Sequence, residues 1–380
     1  MNHGAAAGAA RSDRAGAGLL RRTDAGRRAL EAALRGVRGA NPLVGAVVLD
    51  AHGTVLATGH HGGAGTAHAE AAAIAELERR LDAGEIAPVP GNEPADWSIV
   101  VTLEPCNHTG RTGPCSHAIH RAGIGTVVFG AADTTAEAAG GAAWLAARGH
   151  TVHAGDAVAP DWAHSCRRLN HRWAAARADG RPFVTLHLAQ TLDGRIAAED
   201  GTSQWITGAE ARRHSHGVRA RADAIVVGTG TVLVDDPRLT ARTDDGRATD
   251  RQPLRVVMGE RDVPAAAAVR GPSEEYLHLR TRDPRRVLRV LADGAGGRTV
   301  DHVMVEGGAS VATAFLAADL VDEVWLYQAP LLLGAGRGAV GDLGVSTLAD
   351  GRRFDYDDAG DGAVLRLGGD VALHLVPTSK

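Results

Sequence analysis

The stretch Val101-Thr-Leu-Glu-Pro-Cys106-Asn-His108-Thr-Gly-Arg-Thr-Gly-Pro-Cys115-Ser-His117 holds two of the chain's three cysteines, and His68-Ala69-Glu70 precedes it. One imidazole and two thiolates make a zinc donor set, and three protein ligands leave the fourth tetrahedral position to water. A metal there lowers the pKa of that water toward neutrality. Glu70 stands beside the ligand His68 and is placed to move protons rather than to ligate. The alternatives are two free core cysteines or a closed structural zinc knuckle, for which His61, His108 or His117 supplies a fourth ligand.

Composition narrows the field. A chain of 380 residues predicts two domains, or three, and its 44% apolar content suffices for ordinary cores. A net charge of -4 argues against a nucleic-acid surface, which is expected to be basic. Three irregularly spaced cysteines fit metal or catalytic use in a reducing compartment better than a disulfide framework. No apolar run has transmembrane length. Residues 1–22 lack a continuous apolar core, so they read as a disordered leader rather than a signal peptide. Cytoplasm is the expected compartment. The sole lysine is Lys380; the other forty basic residues are arginine.

Periodicity predicts a first helix over 23–38, capped by Thr23 or Asp24, with Leu30, Ala33, Leu34 and Val37 at helical spacing. Strands at 46–49 and 54–59 form a hairpin. The run from His68 is strongly helical, so His68 and Glu70 sit in a first turn. A strand at 98–103 leads to the cysteine loop and a further helix. Two helix N-termini then face one metal and favour the thiolates. A strand at 124–130, a helix at 140–148, a strand at 151–154 and a long helix at 161–177 complete an α/β sandwich. Cys166 on that last helix is a free thiol outside the motif. The Ala178-Asp179-Gly180 turn marks the expected boundary: leader 1–22, first domain 23–179, second domain 180–380.

The second half restarts with strands at 183–188 and 224–227, separated by a helix at 208–222. Strands follow at 254–258, 302–305, 323–328 and 372–376; residues 243–300 are the least readable. The strand ending in Glu306-Gly307-Gly308 opens a helix at Ser310 and presents bare N–H groups to a pyrophosphate. An ordinary strand-to-helix turn reads the same way. No doubly wound dinucleotide fingerprint is present.

His-x-Glu followed by Pro-Cys and a second Cys is the pattern of zinc sites that deaminate nucleobase-like rings. The eight residues between Cys106 and Cys115 set it apart from the usual spacing of two. In this respect the order Thr102-Leu-Glu-Pro-Cys106-Asn-His108-Thr-Gly-Arg-Thr-Gly-Pro-Cys115 resembles the bifunctional riboflavin-biosynthesis deaminase–reductases. The phrases at 183–196, 201–207 and 228–242 are similar to that family's reductase domain. The resemblance implies a cytidine-deaminase-like α/β/α sandwich followed by a dihydrofolate-reductase-like α/β domain.

The family likeness also implies roles. His68, Cys106 and Cys115 would hold Zn2+, Glu70 would be catalytic, and Asn41 would contact the pyrimidine, although Asn41 before Pro42 is equally a turn residue. His61 matches the family pattern as a neighbour of the site. Ala189, Trp205, Thr231, Asp235 and the run Gly308, Ala309, Ser310, Val311, Ala312, Thr313 and Ala314 fall where the family binds NADPH. Ser203, Arg219, Leu239, Arg242 and Glu306 fall where it binds the phosphoribosyl substrate, Arg219 and Arg242 as a fork for a 5′-phosphate. One position departs: His187 stands where the family carries lysine, and His is only partly charged at neutral pH.

The implied reactions are hydrolytic deamination of a diaminopyrimidine phosphoriboside, then NADPH-dependent reduction of its ribosyl group to ribityl. The alternative is a paralogue with an active deaminase and a weak or retuned reductase, possible in a specialised pathway. Two further rivals are a deaminase of nucleic-acid bases and a non-catalytic zinc-stabilised binding protein. The expected partners are a small phosphoribosylaminopyrimidine and a second copy of the chain, with no nucleic acid and no membrane.

Overall fold

The computed structural model describes residues 24–378 apart from 109–112, 134, 136, 137, 244, 250, 272–274, 295, 296 and 360. The leader expected over 1–22 and the cap Thr23 lie outside the described residues. The chain divides into two compact units, Met1–Ala174 and Ala175–Lys380.

The first unit runs α1 (Ala25–Ala33), β1 (Gly45–Leu49), β2 (Val55–His60), α2 (Ala69–Asp82), β3 (Ser98–Leu103), α3 (Cys115–Arg121), β4 (Thr126–Ala131), α4 (Gly141–Ala146), β5 (Thr151–Ala154) and α5 (Pro160–Leu169). Its sheet has the order β2-β1-β3-β4-β5, antiparallel across β2-β1-β3 and parallel from β3 to β5. Side chains alternate across a strand. Val47, Leu49, Val100 and Val128 therefore enter one core with Ala25 and Ala29 of α1. Ala46, Val48, Val101 and Val127 enter the other with Ala73 and Leu77 of α2 and Ile119 of α3. Both faces are covered, as the sandwich reading predicts.

Two helix expectations need correction. The helix expected over 23–38 closes at Ala33, and its buried stripe is Ala25, Ala29, Ala32 and Ala33 rather than the leucines. Asp24 makes no side-chain cap; it accepts from Arg27 Nε at 2.8 Å. The helix expected over 161–177 is two, α5 and α6 (His171–Ala178). Asn170 breaks it: its amide bonds both the N–H and the carbonyl of Leu43, each at 2.8 Å. A side chain fully engaged with a distant backbone segment fixes a non-helical residue at that point.

The second unit runs β6 (Phe183–Thr191), β7 (Arg195–Ala197), α7 (Ala209–Ala220), β8 (Ala224–Gly228), α8 (Thr229–Asp235), β9 (Leu254–Met258), β10 (Tyr276–Leu279), α9 (Pro284–Ala292), β11 (His302–Val305), α10 (Ala309–Ala317), β12 (Glu323–Ala329), β13 (Arg337–Gly338), β14 (Phe354–Tyr356), β15 (Val364–Leu367) and β16 (Asp370–Pro377). The main sheet has the order β10-β9-β8-β11-β6-β12-β16-β14, with β15 also on β16. Neighbours are parallel from β10 to β12 and antiparallel beyond. Helices α9 and α10 bury Val287, Leu291, Ala312 and Phe315 against one face. Helices α7 and α8 bury Ala211, Val218 and Val232 against the other. Within the stretch that read poorly, β10 and α9 emerge. Asp283 caps α9, accepting from Arg285 N at 2.9 Å, with Pro284 at its first position.

Candidate active sites

In the first unit His68, Cys106 and Cys115 converge. Their ligating atoms all lie within 4.8 Å of one another. His68 Nδ1 is 3.3 Å from Cys115 Sγ and 3.6 Å from Cys106 Sγ. Close approaches in the backbone create this geometry. At Gly59 of β2 a Cβ would meet the Ala69 carbonyl oxygen at 2.3 Å, so only glycine lets α2 deliver His68 here. At Gly141 a Cβ would meet the Pro105 carbonyl oxygen at 1.8 Å, so the cysteine loop lies directly on the start of α4. Glu104 ties the same loop down, accepting from the N–H groups of Gly140 and Ala142 at 3.2 and 3.1 Å.

His68 precedes the first residue of α2, and Cys115 is the first residue of α3. Cys106 receives the Cys115 N–H at 3.4 Å. Hydrogen bonding from Cys115, then from His68, holds the Cys106 thiol well below its ordinary value. The Cys115 thiol is pushed up beside it, and the hydrogen bond to Cys106 raises His68. This donor set fits zinc: a nitrogen and two sulfurs gathered within 4.8 Å of one another. Glu70 is 4% exposed, and burial pushes its carboxyl up to about 7. A carboxyl near neutrality can both take and return a proton.

The histidines considered for a fourth ligand are otherwise engaged or apart. His61 Nδ1 donates to the Ala67 carbonyl at 2.9 Å, which leaves Nε2 to accept the Asn41 amide at 2.9 Å. His117 stacks on Trp144 at 4.1 Å. Among the described residues the cluster has three donors, and His108 is not one of them. Cys166 is buried, and burial pushes its thiol up to about 12.

In the second unit two cavities of about 550 Å³ each open beside the sheet. One is lined by Gly230, Thr231, Gly308, Ala309, Ser310, Val311 and Ala314. The other is lined by His187, Ala189, Trp205, Arg219, Leu239, Arg242 and Glu306. Ser203, Thr231, Asp235 and Gly308 line both. The bare backbone at Gly230 and Gly308 offers the close approach a dinucleotide pyrophosphate needs. Ala312 lies in the apolar core, and Thr313 bonds the Ala309 carbonyl at 2.6 Å; neither lines a cavity.

Arg219 does not present a free fork. Its Nε and Nη2 donate to the two Glu306 oxygens at 2.9 and 2.6 Å, and Nη1 donates to the Thr240 carbonyl at 2.8 Å. Burial acts to raise the Glu306 carboxyl, but the Arg219 guanidinium offsets this and keeps it below its ordinary value. Arg242 donates Nη1 to the Gly246 carbonyl at 2.9 Å and lines the second cavity. His187 lies within 2.9 Å of Ser215 Oγ and against the Tyr327 ring at 4.7 Å. Burial pushes it down to about 4, so it is a neutral imidazole at pH 7.

Sequence reasoning missed several residues here. Glu104 stood inside the quoted motif as the residue before Pro105, but its role as an anchor needs α4. Ser215 and Tyr327 carry no signal without the sheet. Arg261 and Arg282, which line the first cavity, fall in the poorly readable stretch.

Comparison with known proteins agrees with both halves. Residues 21–131 match the cytidine and deoxycytidylate deaminase zinc-binding region, and residues 182–358 match the RibD C-terminal domain. The riboflavin biosynthesis protein RibD of Mycobacterium tuberculosis is 42% identical over 343 residues, covering 90% of this chain and 93% of the relative. That of Escherichia coli is 33% identical over 381 residues, covering 92% and 97%. The solved Acinetobacter baumannii RibD (form 1) superposes with a TM-score of 0.69 at 30% identity, covering 95% of this chain and 100% of that one. The diaminohydroxyphosphoribosylaminopyrimidine deaminase/5-amino-6-(5-phosphoribosylamino)uracil reductase of Thermotoga maritima superposes with a TM-score of 0.66 at 29% identity, covering 93% and 97%.

Proposed function

This chain belongs to the RibD family of riboflavin biosynthesis proteins, and we propose how its residues divide the family's two reactions. It is a zinc-dependent pyrimidine deaminase fused to an NADPH-dependent reductase. The substrate of the first reaction is 2,5-diamino-6-(5-phosphoribosylamino)pyrimidin-4-one. The second reduces the ribosyl group of the deaminated product to ribityl.

In the first unit His68, Cys106 and Cys115 would hold zinc, which would supply Lewis acidity toward a water molecule. Glu70 would take a proton from the attacking water as its oxygen bonds to the amino-bearing ring carbon, and pass it to the amino group as the C–N bond breaks and ammonia leaves. Asn41 orients the pyrimidine, and His61 fixes which way the Asn41 amide faces. The carrying observation is the convergence of His68, Cys106 and Cys115 with buried Glu70 beside them.

In the second unit NADPH, when bound, would supply the hydride for reduction of the sugar at C1′. Thr231, Asp235, Ser203 and the Gly308–Val311 turn line its place, and Ala189, Trp205 and Ala314 border it. Arg242 meets the 5′-phosphate. Arg219 and Glu306, bound to each other, form a fixed polar wall beside Leu239. His187 offers a neutral imidazole to the ribosyl group, steadied by Ser215.

No helix among the described residues is long and apolar enough to cross a membrane. A homo-oligomer in the cytoplasm accords with a small-molecule enzyme of this kind; sedimentation at micromolar concentration and cell fractionation check both points. The function itself is tested by a split assay. The diaminopyrimidine phosphoriboside, supplied without cofactor, should release ammonia, and NADPH added afterwards should be oxidised. Ammonia release without NADPH oxidation would favour the paralogue with a silent second domain. No ammonia from zinc-loaded protein would refute the deaminase assignment.

A further inference from the structure

We propose that Tyr327 gives the proton that completes reduction of the sugar, and that His214, backed by Asp361, replaces that proton from solvent. The proposal rests on the reading of the second unit as the reductase.

Reduction at C1′ needs more than a hydride. As the hydride bonds to C1′, the C1′–O4′ bond breaks and its electron pair stays on O4′, which must take one proton. Each turnover therefore draws one proton from solution. The groups on the substrate cavity differ in their fitness to supply it. Glu306, bound at both oxygens by Arg219, stays ionised and holds no proton to give. His187 is neutral, and its Nε2 lies 2.9 Å from Ser215 Oγ. Tyr327 lines the same cavity, its ring 4.7 Å from that of His187. Burial pushes the Tyr327 phenol above its ordinary value, so it keeps its proton at neutral pH.

Behind Tyr327, which stands on β12, a path leads outward through His214 on α7. Tyr327 Oη is 2.8 Å from His214 Nδ1, and His214 Nε2 is 3.3 Å from Asp361 Oδ2. Tyr327 is buried, the His214 side chain is 13% exposed and that of Asp361 is 58% exposed. The three residues thus run from the cavity wall to solvent. A carboxylate only accepts, so His214 Nε2 carries a hydrogen. In the neutral ring Nδ1 then accepts from the Tyr327 hydroxyl and holds the phenol proton away from the cavity. In the protonated ring Nδ1–H donates to Oη, and the phenol proton is free for O4′. The phenolate left behind takes the Nδ1 proton, and the ring recovers one from water. Burial pushes His214 below its ordinary value, and Arg221 and His374 add to this; the Asp361 carboxylate pulls the other way. The Trp325 ring, 4.7 Å away, covers the imidazole without adding a charge. The proton-bearing form therefore grows as pH falls, and with it the reductase rate.

The test uses the full chain with the deaminated pyrimidine phosphoriboside and NADPH. Tyr327→Phe keeps the ring against His187 and removes the proton. Its kcat for NADPH oxidation should fall at least about a hundredfold, with ammonia release and the calorimetric affinity for the deaminated pyrimidine unchanged. His214→Gln still bonds the hydroxyl but carries no proton, and kcat should fall about tenfold or more with KM unchanged. Wild-type kcat should rise as pH is lowered from about 8 to 6. That rise should be absent in His214→Gln and present in His187→Gln, whereas a merely structural His214 would leave it in place. Asp361→Asn should move the profile to lower pH, because the charge that favours the imidazolium is gone. Undiminished kcat in Tyr327→Phe, a loss of pyrimidine affinity that accounts for the lost rate, or a pH profile that survives His214→Gln would overturn the proposal. No NADPH oxidation by wild type would instead remove the reductase reading on which the proposal stands.

Discussion

Arg219 and Glu306 form a two-point ion pair, Nε to Oε1 at 2.9 Å and Nη2 to Oε2 at 2.6 Å, and both line the second cavity of the second unit. Both side chains are largely shielded from water, at 13% and 11% exposure. Removing one partner strands a charge. Arg219→Met or Glu306→Leu alone should therefore destabilise the second unit by about 3 kcal/mol, and the double variant by less than the sum of the two. Denaturant unfolding measures this. Ammonia release by the folded variants should match wild type, because the pair belongs to the second unit.

The carboxylate Glu70 should be dispensable for metal binding and indispensable for deamination. Glu70→Gln should retain one zinc per chain while ammonia release falls by at least about a hundredfold. NADPH oxidation with the deaminated pyrimidine supplied directly should not change. Parallel loss of zinc would show that Glu70 supports the metal site itself.

Metal removal should sort the three cysteines. With zinc bound, no thiol should react quickly with a disulfide reagent. After chelation two should react, Cys106 first, because hydrogen bonding holds its thiol below its ordinary value. Cys166 should stay silent until the protein unfolds, since burial keeps its thiol up at about 12. Three fast thiols in the native chelated protein would contradict the burial of Cys166, whose Sγ lies 2.3 Å from where a Cβ on Gly130 would stand.

Acid should weaken the second unit through His187. Burial depresses this residue to about 4 in the folded chain, against about 6.5 when unfolded. Between those values the unfolded chain holds the proton and the folded chain does not. Stability must therefore fall as pH falls from about 6.5 toward 4. His187→Gln should flatten that slope in denaturant melts. For the same reason the reductase rate should show no inflection near pH 6.5 that disappears in His187→Gln.

Much of the first unit was legible because its signals are local. His68 at a helix start and two cysteines flanking a loop announce their chemistry by type and spacing. Strands β1, β3 and β4 appear as short apolar runs. The α9 helix was also written locally, in Asp283-Pro284 ahead of an apolar stripe, and was passed over among charged residues. The break at Asn170 was not legible, because the backbone that holds its amide, at Leu43, is 127 positions away.

By itself, the sequence determined the cluster of one histidine and two cysteines, the carboxyl beside it and the order of two α/β units, since each follows from residue type and short-range periodicity. Tertiary structure decided what the charged side chains do. It joined Arg219 to Glu306 across 87 positions, so that the expected phosphate fork is a closed pair. It made His187 neutral, and it joined Tyr327 to His214 across 113 positions. Whether a charge is neutralised, buried or free to meet a ligand depends on which strands become neighbours, and that is fixed only when the sheet assembles.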